Sequence, residues 1–168
     1  GSLVDSLKKG HYVIPDFQRD FEWEPWDVLE LIRSIFMDYY IGTLLLWKGN
    51  KENFKMLSCE PIYGSQETTD AQHIVLDGQQ RLTAIHYAFF APSIAFPKRS
   101  KAVIYLIDIL ALLEEDYENF IRYEFLTNKN KKLLNDKNKQ FENHIFPLGE
   151  MKGGSWGTSD WIKEYRDY

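Results

Sequence analysis

Apolar and polar positions follow one another along the chain in patterns that predict separate strands and helices. Apolar side chains recur every three or four positions over Pro25–Asp38, which predicts an amphipathic helix that starts at a proline and ends before Gly42. The uninterrupted apolar run Thr43–Trp47 predicts a strand that is buried on both faces. Phe54–Ile62 is the predicted hairpin partner of that strand.

The centre of the chain predicts a strand, a turn and a helix in direct succession. His73–Leu76 is an apolar run, Asp77 and Gly78 interrupt it, and Gln79–Phe90 has apolar side chains at helical spacing. Elsewhere the sequence predicts a helix over Leu3–Lys9, strands over His11–Ile14, Ala102–Ile109 and Ile145–Leu148, a strand or a helix over Phe120–Leu126, a polar loop over Asn128–Gln140, and a last helix from Ser159 after a flexible glycine-rich link.

These mixed elements predict one α/β or α+β domain over residues 3–168, because the sequence shows neither an internal repeat nor a clear domain boundary. Gly1 and Ser2, with no initiator Met, are interpreted as a remnant of cloning. The chain is therefore expected to be a piece of a longer protein.

The charge of the chain limits the kinds of partner that it can bind. Lysine and arginine number 20 against 25 aspartate and glutamate residues, a net charge of −5, which excludes a uniformly basic nucleic-acid-binding protein. A local basic patch remains possible, and Lys129, Lys131 and Lys132 are the candidate contacts for a DNA backbone. The alternative is that these lysines lie in a solvated loop.

The single cysteine and the apolar runs indicate the compartment. One cysteine, Cys59, excludes an internal disulfide framework and a thiolate zinc cluster, and it fits a reducing compartment such as the bacterial cytoplasm. No apolar run reaches the roughly 18 residues of a membrane span, so no membrane partner is expected. The four histidines show no metal-binding spacing, and neither a Walker-type loop nor a nucleophile elbow is present.

The strongest candidate for chemistry is the segment HIVLDGQQRLTA, residues 73–84. A helix that begins directly after Gly78 presents amides that lack intrahelical partners, and its dipole favours an anion there. Arg81 would add a bidentate donor to a phosphate oxygen, and Gln79 and Gln80 offer uncharged donors and acceptors. The alternative interpretation is that Asp77 only caps the helix and the polar residues are solvated.

A second candidate is the segment IPDFQRDFEW, residues 14–23. It places Gln18 and Arg19 in a loop between a predicted strand and a predicted helix, and loops held by rigid elements are common binding sites. The aromatic residues Phe17, Phe21 and Trp23 would either stack on a base or cover the core.

These two segments, with IGTLLL at residues 41–46 between them, occur in a fixed order that resembles the N-terminal domain of the GmrSD family of modification-dependent restriction endonucleases. The family consensus is close to IPxYQRxYxW, a Gly-led apolar strand and DGQQRLTT. The chain departs from it at Phe17, Phe21 and Ala84, each of which lacks a hydroxyl common in the family. The resemblance implies a ParB/sulfiredoxin-like fold, with a small mixed sheet flanked by helices.

The resemblance also implies binding and hydrolysis of a nucleoside triphosphate with Mg²⁺. In the family this hydrolysis regulates the cutting of modified phage DNA, and a His-Asn-His nuclease domain elsewhere in the longer protein or in a partner chain does the cutting. Carried over to this chain, the nucleotide site and its catalytic residues are Asp77, Gly78, Gln79, Gln80 and Arg81, with Gln18 and Arg19 facing the same cleft.

Individual roles follow as hypotheses. Arg81 would neutralise charge on the transferred phosphoryl group, Gln79 or Gln80 would orient the attacking water, and Asp77 would hold Mg²⁺. One alternative is a DNA-sensing module without catalysis, in which the motif clamps a phosphate backbone. Another is a direct ParB-like nuclease, which is disfavoured because no second acidic residue lies near Asp77 in the sequence to hold paired metals.

Overall fold

The computed structural model describes residues 3–18, 20–65 and 70–168. The chain divides into two compact units, residues 1–90 and residues 91–168, each with helices and one small sheet. The α/β class predicted from the sequence is therefore confirmed. Within the described ranges, none of the helices has both the length and the apolar character that crossing a membrane would require.

The first unit contains a mixed sheet of four short strands. In chain order these are β1 (Tyr12–Ile14), β2 (Leu45–Lys48), β3 (Glu60–Pro61) and β4 (His73–Asp77). Their order in the sheet is β2-β4-β1-β3. Strands β1 and β4 are parallel, whereas β2 pairs antiparallel with β4 and β3 pairs antiparallel with β1. Strand β4 thus has a neighbouring strand on each side, and the turn that follows it lies at the carboxyl end of this central strand.

Four helices accompany this sheet: α1 (Leu3–Lys8), α2 (Pro25–Phe36), α3 (Lys51–Met56) and α4 (Gln79–Phe90). The apolar stripe of α2 buries Val28, Leu29 and Ile32, and Pro25 occupies its first turn, as the sequence pattern predicted. Helix α4 is buried along almost its whole length, including its first two residues. The start of α4 is therefore fixed by core packing, which leaves little freedom to the turn before it.

Two predictions for the first unit are wrong in detail. Strand β2 is an edge strand, so Leu45 and Trp47 are exposed and the strand is not buried on both faces. Its predicted hairpin partner begins within the end of helix α3 instead. Asn50 caps that helix by accepting from the Asn53 amide, and the short strand β3 that follows it pairs with β1. The helix predicted over Pro25–Asp38 is confirmed as α2, which ends two residues earlier, at Phe36.

The second unit contains an antiparallel sheet in the order β6-β5-β7. Its strands are β5 (Val103–Asp108), β6 (Ile121–Phe125) and β7 (Ile145–Pro147), and its helices are α5 (Ile109–Leu113), α6 (Lys137–Glu142) and α7 (Gly154–Asp167). Short 3-10 helices span Lys131–Leu134 and Leu148–Gly153. Ile104, Leu106 and Ile145 form a cluster in its core, and Trp161 of α7 is also buried.

Two predictions for this unit need correction. The segment predicted as a polar loop contains a 3-10 turn and the start of α6, where Asp136 caps the helix by accepting from the Lys139 amide. The last helix begins at Gly154 rather than Ser159, so the glycines predicted as a flexible link lie at its start. The ambiguous segment around residues 121–125 is a strand.

Candidate functional site

The turn between β4 and α4 has the conformation predicted from the sequence. Strand β4 ends at Asp77, α4 begins at Gln79, and Gly78 has a φ of +91°, which L-residues with a side chain rarely adopt. The Gly78 carbonyl accepts from the Leu82 amide at 3.0 Å. Residues 79–81 therefore form the first turn, whose amides have no carbonyl one turn earlier within their own helix.

A cleft of about 220 Å³ lies at this turn, and Gln18, Trp23 and the five residues Asp77–Arg81 line it. Gln18 donates its side-chain Nε2–H to the Leu76 carbonyl at 3.0 Å. The predicted proximity of the two motifs is thus confirmed for Gln18, although nearly 60 positions separate it from the turn. Arg19, the other residue predicted to face this cleft, lies outside the described residues.

Arg81 is held in a fixed position on one side of the cleft. Its Nη1–H donates to the Ile41 carbonyl at 2.9 Å, its Nη2 lies 3.8 Å from Asp77 Oδ2, and only 19% of its side chain is exposed. Arg81 borders the cleft, but its guanidinium is partly buried because main-chain atoms surround it.

Gly42 and Gly78 make room for this guanidinium. A Cβ atom at Gly42 would overlap Arg81 Nη1, whereas one at Gly78 would overlap Leu44 Cδ2 and lie 3.2 Å from Nη2. Both glycines also have φ at +91°. This contact explains the Gly-led motif at residues 41–46, which contributed to the family resemblance but to which the sequence analysis gave no role in the site. An isolated Gly just before an apolar run was its only local signal.

The second glutamine of the turn contacts the other motif. Gln80 is 8% exposed, donates its Nε2–H to the Asp20 carbonyl at 2.9 Å, and accepts from the Glu22 amide at 3.0 Å. Gln79 is also buried and lines the cleft. The structure brings together all of the predicted nucleotide-site residues that it describes.

The electrostatics of the cleft favour an anion. The first turn of α4 contains no acidic residue, and it carries the cation of Arg81 at the end where the helix dipole is already positive. The Asp77 carboxylate, 69% exposed, is the one acidic group among the described residues that line the cleft. No group of three His, Cys, Asp or Glu side chains suited to a metal occurs within the described residues. A metal in the cleft would therefore need further oxygen ligands from water or a bound phosphate.

The lysines proposed to contact DNA lie in the second unit. Lys129, Lys131 and Lys132 are exposed on a turn that Asn130 stabilises through its side chain. Lys137 and Lys139, farther along the same polar stretch, form ion pairs with glutamates of the same unit. The role of the three exposed lysines in DNA binding stays a prediction.

Comparisons with known proteins agree with the motifs of the cleft. The family described as the GmrSD restriction endonuclease N-terminal domain matches residues 1–160. The uncharacterized protein MJ0686 of Methanocaldococcus jannaschii is 32% identical over 183 residues, covering 99% of this chain and 31% of that relative. The chain thus spans about a third of the length of this relative.

Proposed function

Since the chain belongs to the family of GmrSD restriction endonuclease N-terminal domains, we propose that its cleft binds and hydrolyses a nucleoside triphosphate. In this proposal hydrolysis regulates the cutting of modified phage DNA by a His-Asn-His nuclease domain, in the same longer protein or in a partner chain. The observation that carries the proposal is the position of Arg81 and Gly78 at the amino end of a buried helix.

This arrangement supports phosphate binding for three physical reasons. The first turn of α4 lines the cleft, the helix dipole is positive at that end, and Gly78 lets a ligand approach the backbone closely. The Arg81 guanidinium is held by the Ile41 carbonyl, so little ordering is needed when an anion arrives. A compact polyanion such as a triphosphate matches all three features.

The residues of the turn have distinct roles in the proposal. Arg81 stabilises the negative charge that develops on the transferred phosphoryl group, because a guanidinium donates to two oxygens at once. Gln79 orients the attacking water, since it lines the cleft beside the helix start.

Mg²⁺ would be the metal of this reaction. A magnesium ion is commonly held by one or two carboxylates together with substrate phosphates and waters, which fits the single exposed carboxylate of Asp77 in the cleft. When bound, Mg²⁺ neutralises phosphate charge and polarises the bond that breaks. Asp77 serves as its protein ligand in this proposal.

Two measurements test the proposal on the parent protein. The melting temperature is recorded with each of the four common nucleoside triphosphates and Mg²⁺, and phosphate release is followed in parallel. A ligand at 100 times its dissociation constant should stabilise the folded state by about 2.7 kcal/mol. No shift with any nucleotide, together with no phosphate release, would contradict the proposal. Binding of DNA without turnover would favour the DNA-sensing alternative.

The variant Arg81→Ala then tests the site. We expect phosphate release to fall by on the order of a hundredfold or more, because a donor to the transferred group is lost. Stability should fall by about 1.5–3 kcal/mol, since the variant also loses a charged hydrogen bond to Ile41. The matched control is Arg33→Ala on α2, whose side chain is equally buried at 21% exposed and ion-paired with Glu30. It should lose stability and retain turnover; turnover at the parent rate in Arg81→Ala would remove Arg81 from the mechanism.

A further inference from the structure

The two neighbouring glutamines of the turn are not equivalent. Both amide atoms of Gln80 bond with the main chain of another segment: Nε2–H donates to the Asp20 carbonyl at 2.9 Å, and Oε1 accepts from the Glu22 amide at 3.0 Å. A peptide group of a neighbouring strand would make the same pair of bonds. The side chain of Gln80 therefore fastens residues 20–22 to the first turn of α4.

This attachment lies between two residues that form the wall of the cleft. Gln18 precedes the fastened residues and is itself anchored to the Leu76 carbonyl, while Trp23 follows them directly. A loop attached at both points has few conformations, so Gln18 and Trp23 are held at fixed distances from the helix start. Loss of the Gln80 bonds would free the part of the loop that carries Trp23.

We infer that Gln80 is a positioning residue. It holds residues 20–22 against α4 so that Gln18 and Trp23 wall the phosphate cleft, and its own amide does not bind the nucleotide. This inference rests on the proposed function for the ligand, but the attachment itself can be measured without any ligand.

The direct measurement is hydrogen exchange of the Glu22 amide, followed by nuclear magnetic resonance in the full chain. The variant Gln80→Met removes both hydrogen bonds and keeps a side chain of similar length. We expect the Glu22 amide to exchange about tenfold faster in this variant, and the affinity for a fluorescent nucleoside triphosphate analogue with Mg²⁺ to fall about tenfold.

A matched control is available in the second unit. Gln140 is fully buried, donates to the Leu133 carbonyl and to Glu150, and accepts from the Trp161 indole. Gln140→Met makes the same chemical change at an equally buried amide. It should lower the melting temperature while leaving Glu22 exchange and nucleotide affinity at their parent values.

The variant Gln80→Glu separates positioning from a general packing effect. Its ionised carboxylate would still accept from the Glu22 amide but would repel the Asp20 carbonyl, whereas its protonated form restores a donor toward that carbonyl. Protection of the Glu22 amide, corrected for intrinsic exchange, should therefore recover as the pH falls toward the pKa of the new carboxyl. Gln80→Met should show no such recovery.

The outcomes are distinguishable. Parent-like Glu22 exchange in Gln80→Met would overturn the inference, and so would a loss of affinity without faster exchange, because that result would make Gln80 a direct ligand contact. If the parent protein binds no nucleotide, the proposed function fails, while Glu22 exchange still decides whether Gln80 fastens the loop.

Discussion

At the scale of single residues, the site depends on the space that glycines leave beside the main chain as much as on side-chain chemistry. Arg81 can occupy its position only because residue 42 lacks a Cβ atom, and Gly78 leaves further space beside Leu44 and Nη2. The same arginine uses the Ile41 carbonyl as an acceptor. In the proposed function, a guanidinium that is already partly buried among main-chain atoms would lose little further freedom on binding a phosphate, and this benefit depends on Gly42.

The variant Gly42→Ala should displace Arg81 and destabilise the fold. Its Cβ would overlap Arg81 Nη1, and a φ of +91° is strained for alanine. The free energy of unfolding should therefore fall by about 1–3 kcal/mol. The control is Gly157→Ala in α7, where no atom lies within 4 Å of a built Cβ. The free energy of unfolding of that variant should rise by about 0.5–1 kcal/mol. Urea unfolding of both variants measures the difference, and equal stability of Gly42→Ala and the parent would refute the steric argument.

A second residue-scale prediction concerns the pH dependence of stability. His86 on α4 is 4% exposed, and burial lowers the pKa of its imidazole, although a hydrogen bond with the Tyr63 backbone acts in the opposite direction. Below its ordinary pKa of about 6.5 the unfolded chain binds a proton that the folded chain does not. The contribution of His86 should therefore lower the free energy of unfolding as the pH falls from about 6.5 toward the lowered pKa of the folded state. Below that pKa the contribution should no longer change with pH.

Urea unfolding at several pH values between about 7.5 and 5 measures this effect. The variant His86→Gln should show a weaker dependence than the parent. His11→Gln serves as the control for replacing a histidine by glutamine at a position outside α4. An unchanged pH dependence in His86→Gln would show that other groups cause the acid sensitivity.

At the scale of elements, the sequence predicted best those with a clear apolar stripe or run. Helices α2 and α4 and strand β4 were predicted near their observed positions, because the two helices have apolar side chains at helical spacing and the strand is an uninterrupted apolar run. The turn between β4 and α4 was also predicted, since Asp-Gly after an apolar run interrupts a strand.

The errors have local physical causes. The apolar run at β2 indicated deep burial, but the strand lies at the edge of the sheet. The order of strands in a sheet cannot be predicted from the spacing of apolar residues within one strand. Helices α3 and α6 were missed because they are short and lack a long apolar stripe. Their capping residues, Asn50 and Asp136, were readable signals in the sequence.

The site was predicted in part. The motifs identified the turn and Gln18, but the contacts of Arg81 with Ile41 and of Gln80 with Asp20 and Glu22 require knowledge of which loops meet. No local pattern predicts that an arginine in one helix will lie against a glycine from a distant loop. Only the tertiary structure shows why the motif at residues 41–46 accompanies the other two.

The exposed lysine turn allows a prediction about DNA. Lys129, Lys131 and Lys132 are exposed, whereas Lys137 and Lys139 are ion-paired. If the turn contacts duplex DNA, replacing the three exposed lysines by alanine should weaken binding and reduce the salt slope by about 0.9 for each lost phosphate contact. Alanine at the two paired lysines should change the slope less. An unaltered slope in the triple variant would exclude this turn from DNA binding.

At the scale of the whole molecule, the two units carry different candidate chemistry. The cleft and its three motifs all lie within residues 1–90, and the exposed lysine turn lies within residues 91–168. The family match covers residues 1–160 and therefore includes both units. A net charge of −5 means that any DNA contact must come from a local patch, which makes its salt dependence informative.

The contact between Arg81 and Gly42 has a consequence for how related sequences can vary. The identity of position 42 is set by a side chain on a different element, so the two positions should change together across relatives. A relative with a larger residue at position 42 should lack the arginine at position 81, and one that has lost the arginine is released from the steric part of this constraint. The φ of +91° at Gly42 would still favour glycine there, so the coupling should be asymmetric: the arginine requires the glycine more strictly than the glycine requires the arginine.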